Sequence, residues 1–362
     1  MRIAVVVPLW ESVPPPLYGG TQRVASALTE ELVRRGHTVT LFATGDSKTK
    51  AKLKSIYPRP LYRDGIPWTN ALYPALNYIS AFEHADEFDV IHCHLDIPQE
   101  YLALAWARYI KTPVVFTTHF LMPTDPSRDD EKQFLEFFKE SNFISISKSQ
   151  QQLNLNWVAS VHNGIDVSTF HFSEKPGDYF AWFGRFSEIK GAREAIIIAK
   201  KLGVKLVMAG KIDKAAAFKV NGDAPSDYEY YTEEVAPRID GKQIRYIGEL
   251  NHQQKDKFLG GAKVLLNPIQ WDEPFGLIPI EAMATGTPVI SLRRGALVET
   301  VKEGVTGFLC DTIGEMIDRV RDLDIIDRQA CRTHVEKNFS IANMVDGYEA
   351  VYRHVITKGR SS

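Results

Sequence analysis

Short apolar runs alternate along the chain with segments in which apolar residues return every three or four positions. In the first half, R-I-A-V-V-V-P-L, H-T-V-T-L-F-A-T, D-V-I-H-C-H, P-V-V-F-T-T-H and F-I-S-I-S each read as a short buried strand. Between the first two, T-Q-R-V-A-S-A-L-T-E-E-L-V-R-R-G-H carries Val24, Leu28, Leu32 and Val33 at helical spacing, and Gly36 ends it. Strands separated by helices predict a parallel sheet covered on both faces. The pattern then restarts. Y-F-A-W-F-G, V-K-L-V-M-A-G, I-R-Y-I-G, K-V-L-L-N and P-V-I-S-L read as strands, and A-R-E-A-I-I-I-A-K-K-L-G as a helix stopped by glycine. The expectation is an α/β chain of two doubly wound domains facing a central cleft, with ligands at the C-terminal ends of the strands.

The boundary is expected at H-N-G-I-D-V-S-T-F, residues 162–170, which gives domains at 1–165 and 166–340. Residues 341–362 are expected to form a closing helix that packs back toward the N-terminal domain, with Met344, Tyr348, Val351 and Tyr352 on one face. Two stretches read as binding loops: residues 52–82, rich in tyrosine and proline, and residues 211–240, which contain K-V-N-G-D-A-P-S-D-Y-E-Y-Y.

Composition narrows the classes. The chain has 362 residues, enough for two full cores, and a formal charge of −2, which gives no basic field for nucleic acid. Cys93, Cys310 and Cys331 are scattered, without a C-x-x-C, as suits a reducing compartment. The apolar start M-R-I-A-V-V-V-P-L-W is short and reads as a buried strand rather than a signal peptide. No apolar stretch approaches the ~20 residues of a membrane span. A cytoplasmic protein is expected. The basic run K-T-K-A-K-L-K, residues 48–54, leaves peripheral contact with anionic lipid as an alternative to an ordinary solvated face.

The most informative string is W-D-E-P-F-G-L-I-P-I-E-A-M-A-T-G, which follows the apolar run V-L-L. Glu273 and Glu281 are separated by seven residues, the first in a loop and the second in the opening turns of a helix. Pro279 dates the helix start to Leu277–Pro279. Helix N-termini leave N–H groups unpaired and attract phosphate, and Gly276 allows close approach to the backbone. Two carboxylates, acceptor-only groups, then suit the hydroxyls of one elongated ligand.

This string resembles the E-x7-E signature of retaining glycosyltransferases of the GT-B fold, above all glycosyltransferase family four. Further strings resemble the same family in order along the chain. In F-G-R-F-S-E-I-K-G, Arg185 and Lys190 lie on a strand-to-helix connection, where both heads can converge on one anion. Tyr18-Gly19-Gly20-Thr21 precedes the first helix at the place of the family's Gly-Gly loop, and the G-x-G-x-x-G of a dinucleotide site is missing. His119 ends a strand where the family has a histidine beside the donor sugar. H-N-G-I-D and T-V-K-E-G-V-T-G-F-L match at the domain boundary and after the last strands. His92 and His94 alternate onto one face of a strand, a pair without an evident third metal ligand. Asp322-Leu-Asp324 sits in a charged stretch and reads as a solvated face rather than a metal motif.

The resemblance implies two Rossmann-like domains and transfer of a sugar from a nucleotide diphosphate sugar, of UDP-glucose or GDP-mannose type, to an unidentified acceptor hydroxyl. It implies retention of configuration and no metal or other cofactor. Catalytic roles would fall to His119, Glu273, Arg185 and Lys190. The donor would be bound by Gly19, Gly20, Thr21, Arg185, Lys190, Glu273, Phe275, Gly276, Leu277 and Glu281, with Glu281 on the ribose. The alternatives are a nucleotide-sugar-binding protein with weak catalysis, and an epimerase or phosphorylase of the same fold.

Overall fold

The computed structural model describes residues 1–17, 19–213 and 226–360. Tyr18 and residues 214–225, which include the first part of K-V-N-G-D-A-P-S-D-Y-E-Y-Y, lie outside the described residues. The chain divides into two compact units, Met1–Ile165 with Ser340–Ser362, and Asp166–Phe339.

The first unit runs β1 (Arg2–Val6), α1 (Gly20–Arg34), β2 (Thr38–Phe42), β3 (Lys52–Lys54), α2 (Leu72–Phe82), β4 (Val90–Leu95), α3 (Leu102–Ala107), β5 (Val114–Thr118), α4 (Asp129–Phe137), β6 (Asn142–Ser145) and β7 (Trp157–Ser160). Its strands form one sheet in the order β3-β2-β1-β4-β5-β6-β7, with every pair parallel. All six residues of β4 are buried, as befits a central strand covered on both faces. On α1, Val24, Leu28 and Leu32 are buried at four-residue spacing.

Residues 52–82 are more ordered than the loop expected there. Lys52–Lys54 adds an edge strand to β2, and residues 72–82 form α2. Lysines flanking Leu53 are a natural edge composition, because charged side chains disfavour pairing with another strand. The aromatic residues between these elements build a small separate core around Leu9, Trp10 and Leu61. In it the Trp10 and Trp68 rings lie 4.4 Å apart, and those of Tyr57 and Tyr73 4.8 Å. Proline and tyrosine density thus marked a packed cap rather than an open loop.

The second unit runs β8 (Tyr179–Phe183), α5 (Ala192–Leu202), β9 (Lys205–Ala209), α6 (Asp227–Tyr230), β10 (Ile244–Tyr246), α7 (His252–Gly260), β11 (Ala262–Asn267), α8 (Leu277–Ala284), β12 (Val289–Leu292), α9 (Leu297–Thr300), β13 (Gly307–Cys310), α10 (Ile313–Arg319) and α11 (Arg328–Asn338). The sheet order is β10-β9-β8-β11-β12-β13, again all parallel. Asp322 and Asp324 lie in a helical turn after α10, each in reach of a cation, Arg319 at 3.1 Å and Lys263 at 3.8 Å.

The final helix, α12 (Ile341–Arg360), belongs to the first unit. Met344, Tyr348, Val351, Tyr352 and Val355 are buried along one face. Arg35 and His37, at the end of α1, reach Asp346 at 2.6 Å and Glu349 at 2.8 Å. The entry of α12 explains the glycine of H-N-G-I-D: a Cβ on Gly164 would stand 2.4 Å from the Ser340 carbonyl oxygen. Only glycine lets these two backbone segments pass so closely.

Candidate functional site

In the second unit the loop from β11 to α8 carries Glu273, and α8 itself carries Glu281. The loop is tied to the turn after β12: Gly295 N donates to Asp272 Oδ1 at 3.1 Å, and Ala296 N to the Glu273 carbonyl at 2.8 Å. This holds Glu273 at the C-terminal edge of the sheet, where strands of a doubly wound sheet present ligand-binding groups. Two donors then fix its side chain. Lys190 Nζ lies 2.6 Å from Oε2, and Trp271 Nε1 donates to the same oxygen at 2.9 Å. The lysine head also sits over the Trp271 ring, 4.9 Å from its centroid. No described side chain or backbone group bonds Oε1.

Lys190 is positioned from two sides. Its carbonyl accepts from Trp182 Nε1 at 3.1 Å, and the preceding Ile189 carbonyl accepts from Gln270 N at 2.8 Å. The turn after β8 is thereby stitched to the loop after β11. Arg185, on the same turn, has a different carboxylate: its Nε lies 3.1 Å from Asp227 Oδ2 at the start of α6. Each head is engaged with its own acid, Arg185 with Asp227 and Lys190 with Glu273. Burial pushes the Asp227 carboxyl up to about 6 against the pull of Arg185, with Asp213 adding to the rise.

Beyond Glu273, Gly276 is the residue before α8, at φ 87° and ψ 75°. That left-handed conformation favours glycine. No described side chain caps this helix start, so its first N–H groups face outward from the helix without a side-chain acceptor. The Phe275 ring is buried and packs edge-on against Phe339, so only its backbone is available to a ligand. One turn into the helix, Glu281 is buried and pairs through Oε1 with Lys255 of α7. Its Oε2 is buried with no partner among the described residues.

In the first unit, Gly19 precedes α1 and Gly20 opens it. Thr21 is buried, and its hydroxyl bonds Asp96 just beyond β4. Burial raises the Asp96 carboxyl to about 6, and the Thr21 bond opposes that rise. Next to it Glu100 is fully buried and accepts from Trp10 Nε1, Asp96 N and Ile97 N.

His119 follows β5, anchored by its backbone N–H to the Leu95 carbonyl at 2.8 Å. Its Nε2 lies 2.8 Å from His94 Nδ1, and the two rings stack. His92 stacks on the other side of His94, with centroids 4.2 Å apart. Both nitrogens of His92 are committed to protein partners: Tyr352 on Nδ1 and Thr117 on Nε2, each at 2.7 Å. Because the Thr117 hydroxyl donates to the Tyr348 oxygen, it accepts from His92 Nε2–H, and Tyr352 O–H donates to Nδ1. Burial holds all three imidazoles neutral, with His92 and His119 down to about 3 and His94 also well below its usual range.

Sequence reasoning passed over Lys255, Trp271, Asp227, Asp96 and Glu100, and saw His94 without its partner. Lys255 was findable: it lies three and four residues before Phe258 and Leu259, on the buried face of α7. Asp227 gave no local sign.

Two parallel α/β units, each with its polar groups at the strand C-termini, make the GT-B architecture. The chain aligns over 99% of its length, and 99% of the other's, with sucrose-phosphate synthase from Thermosynechococcus elongatus at a TM-score of 0.80 and 18% identity. It aligns over 98% of its length, and 100% of the other's, with Anabaena HepE in complex with UDP and glucose, at a TM-score of 0.72 and 16% identity. Among curated proteins, an uncharacterized glycosyltransferase of Methanocaldococcus jannaschii is 26% identical over 88% of this chain and 89% of its own. N-acetyl-alpha-D-glucosaminyl L-malate synthase of Bacillus anthracis is 22% identical over 94% and 95%. The family model described as Glycosyltransferase Family 4 matches residues 18–169, and that described as Glycosyl transferases group 1 matches residues 169–324. The chain belongs to glycosyltransferase family 4 and is a GT-B glycosyltransferase.

Proposed function

We propose that this glycosyltransferase moves a hexose from a nucleotide diphosphate sugar to an acceptor hydroxyl with retention at the anomeric carbon, using its own cations rather than a metal ion. The observation that carries the reading is the state of the two glutamates. Among the described residues, Glu273 has two donors on Oε2 and none on Oε1, and Glu281 has Lys255 on Oε1 and nothing on Oε2. Each carboxylate is thus aimed by a neighbour and keeps one acceptor oxygen for a ligand hydroxyl. Between them lies the uncapped start of α8, suited to a diphosphate.

In this reading Glu273 holds hydroxyls of the transferred sugar and Glu281 those of the ribose. Arg185, Lys190 and the amides of Phe275, Gly276 and Leu277 take up charge on the departing diphosphate, joined by the Gly19–Gly20 amides and Thr21 of the first unit. His119 contacts the sugar. The bond from the anomeric carbon to the diphosphate oxygen breaks as the acceptor oxygen bonds on the same face, and the acceptor proton passes to the diphosphate. The demand on the protein is electrostatic stabilisation of separated charge, which preoriented cations and amides supply. The UDP-glucose bound by HepE makes that nucleotide sugar the first donor to try.

The test incubates the purified chain with UDP-glucose or GDP-mannose in EDTA and follows release of the nucleoside diphosphate. Release in EDTA supports the reading, and a requirement for one added divalent metal overturns the metal-free part. Proton NMR of the glycoside reports the anomeric configuration; inversion overturns retention. A thermal-shift panel of UDP, GDP and ADP identifies the base, since a bound ligand raises stability in proportion to its affinity.

A further inference from the structure

The histidine pair at the end of β4 and β5 holds information about proton positions. His94 is fully buried, and its ring lies between those of His92 and His119. Its Nδ1 is 2.8 Å from His119 Nε2, while its own Nε2 is buried with no hydrogen-bond partner among the described residues. Both rings are neutral at pH 7, because burial disfavours the cation. A neutral imidazole carries one N–H and one lone pair, so one ring of the pair donates and the other accepts.

Two arrangements satisfy the contact. If His119 Nε2–H donates, His94 must carry its proton on Nε2, which buries an N–H with no acceptor among the described residues. If His94 Nδ1–H donates, only a lone pair is left unmet at His94 Nε2. Among backbone groups, orphaned buried N–H donors are rarer than under-satisfied acceptors, and we extend the same preference to the ring nitrogens. The second arrangement follows, and it leaves the His119 proton on Nδ1.

We propose that His94 is a positioning residue that holds His119 in the Nδ1–H tautomer, so that His119 offers a fixed N–H donor to a hydroxyl oxygen of the bound donor sugar. The sugar contact rests on the nucleotide-sugar reading above; the tautomer does not. In this form His119 has no free lone pair and takes no proton from the acceptor. His92 forms the back wall of the arrangement: its two nitrogens are committed to Tyr352 and Thr117, which keeps the ring stacked against His94.

The experiment is a long-range proton–nitrogen correlation spectrum of the full chain labelled at histidine nitrogen, at pH 7.5 without ligand. The His119 signals are assigned by their loss in His119→Asn. The expected pattern is a protonated Nδ1 and an unprotonated Nε2 on His119. In His94→Phe, which keeps a stacked ring and removes the donor, His119 is expected to shift toward the Nε2–H form. Adding UDP-glucose is expected to move the His119 Nδ1 proton signal, and adding UDP alone to leave it in place. A wild-type His119 protonated on Nε2 overturns the proposal, whether or not His94→Phe folds. A His119 Nδ1 signal unmoved when UDP-glucose is bound overturns the sugar contact. Absence of any transfer activity beside an Nδ1–H His119 counts against the functional reading and upholds the tautomer.

Discussion

Replacing Lys255 by methionine keeps most of its stem and removes the only charge drawn to Glu281 Oε1 among the described contacts. The side chains of the pair are 8% and 2% exposed. At an effective dielectric constant of ~20, two unit charges ~3 Å apart attract by about 5 kcal/mol, part of which offsets the cost of taking both out of water. Breaking such a pair from one side strands the other charge, at a cost of about 3–5 kcal/mol. For a unit of this size that corresponds to a fall in melting temperature on the order of 10 °C. The double variant Lys255→Met/Glu281→Gln removes the stranded charge and is expected to recover most of the loss. The stability changes are therefore non-additive, with a coupling of about 2 kcal/mol or more. Urea denaturation followed by circular dichroism measures all four members of the cycle. A deficit below ~1 kcal/mol or strict additivity would each refute the argument that this pair is a buried, mutually dependent charge pair.

Other outcomes follow from the same geometry. Glu273→Gln is expected to lower donor turnover by about 100-fold or more, as for a lost transition-state contact, with stability changed by less than ~1 kcal/mol because its partner Lys190 is 21% exposed; unchanged turnover removes Glu273 from the site. Arg185→Ala is expected to weaken UDP binding by about tenfold or more in calorimetry, and a wild-type isotherm excludes it as a diphosphate clamp. His92 and His119 titrate near 3 folded against 6.5 unfolded, so the unfolded chain binds more protons in between. Their contribution is complete above about pH 6.5 and is lost as pH falls from there toward 3. The urea midpoint of wild type is expected to drop over that window, and to drop less in His92→Phe; identical slopes would refute the buried neutral histidines.

The loop and helix start proposed to hold the donor were largely visible in the sequence, because their signals are local. A carboxylate in a loop, a glycine before a helix and a second carboxylate one turn in are set by spacing along one strand-to-helix turn. The packed cap formed by residues 52–82 was not legible, since its order comes from Trp10 meeting Trp68 and Tyr57 meeting Tyr73 rather than from a helical or strand period. The same holds for the carboxylates beside Arg185 and Lys190: no local pattern pairs the first with Asp227 and the second with Glu273.

What the sequence by itself determined is the alternation of buried strands and amphipathic helices, the break between two α/β units and the family of the paired glutamates. These depend on residue periods and on turn chemistry, which act over a few positions. What only the tertiary structure decided is which atom of each of these groups its neighbours engage. Lys190 meets Glu273 across 83 residues, Lys255 meets Glu281 across 26, and His94 meets His119 across 25. Such pairings arise where adjacent strands and helices converge, so the partners of the glutamates and of His119 are properties of packing, which no local pattern records.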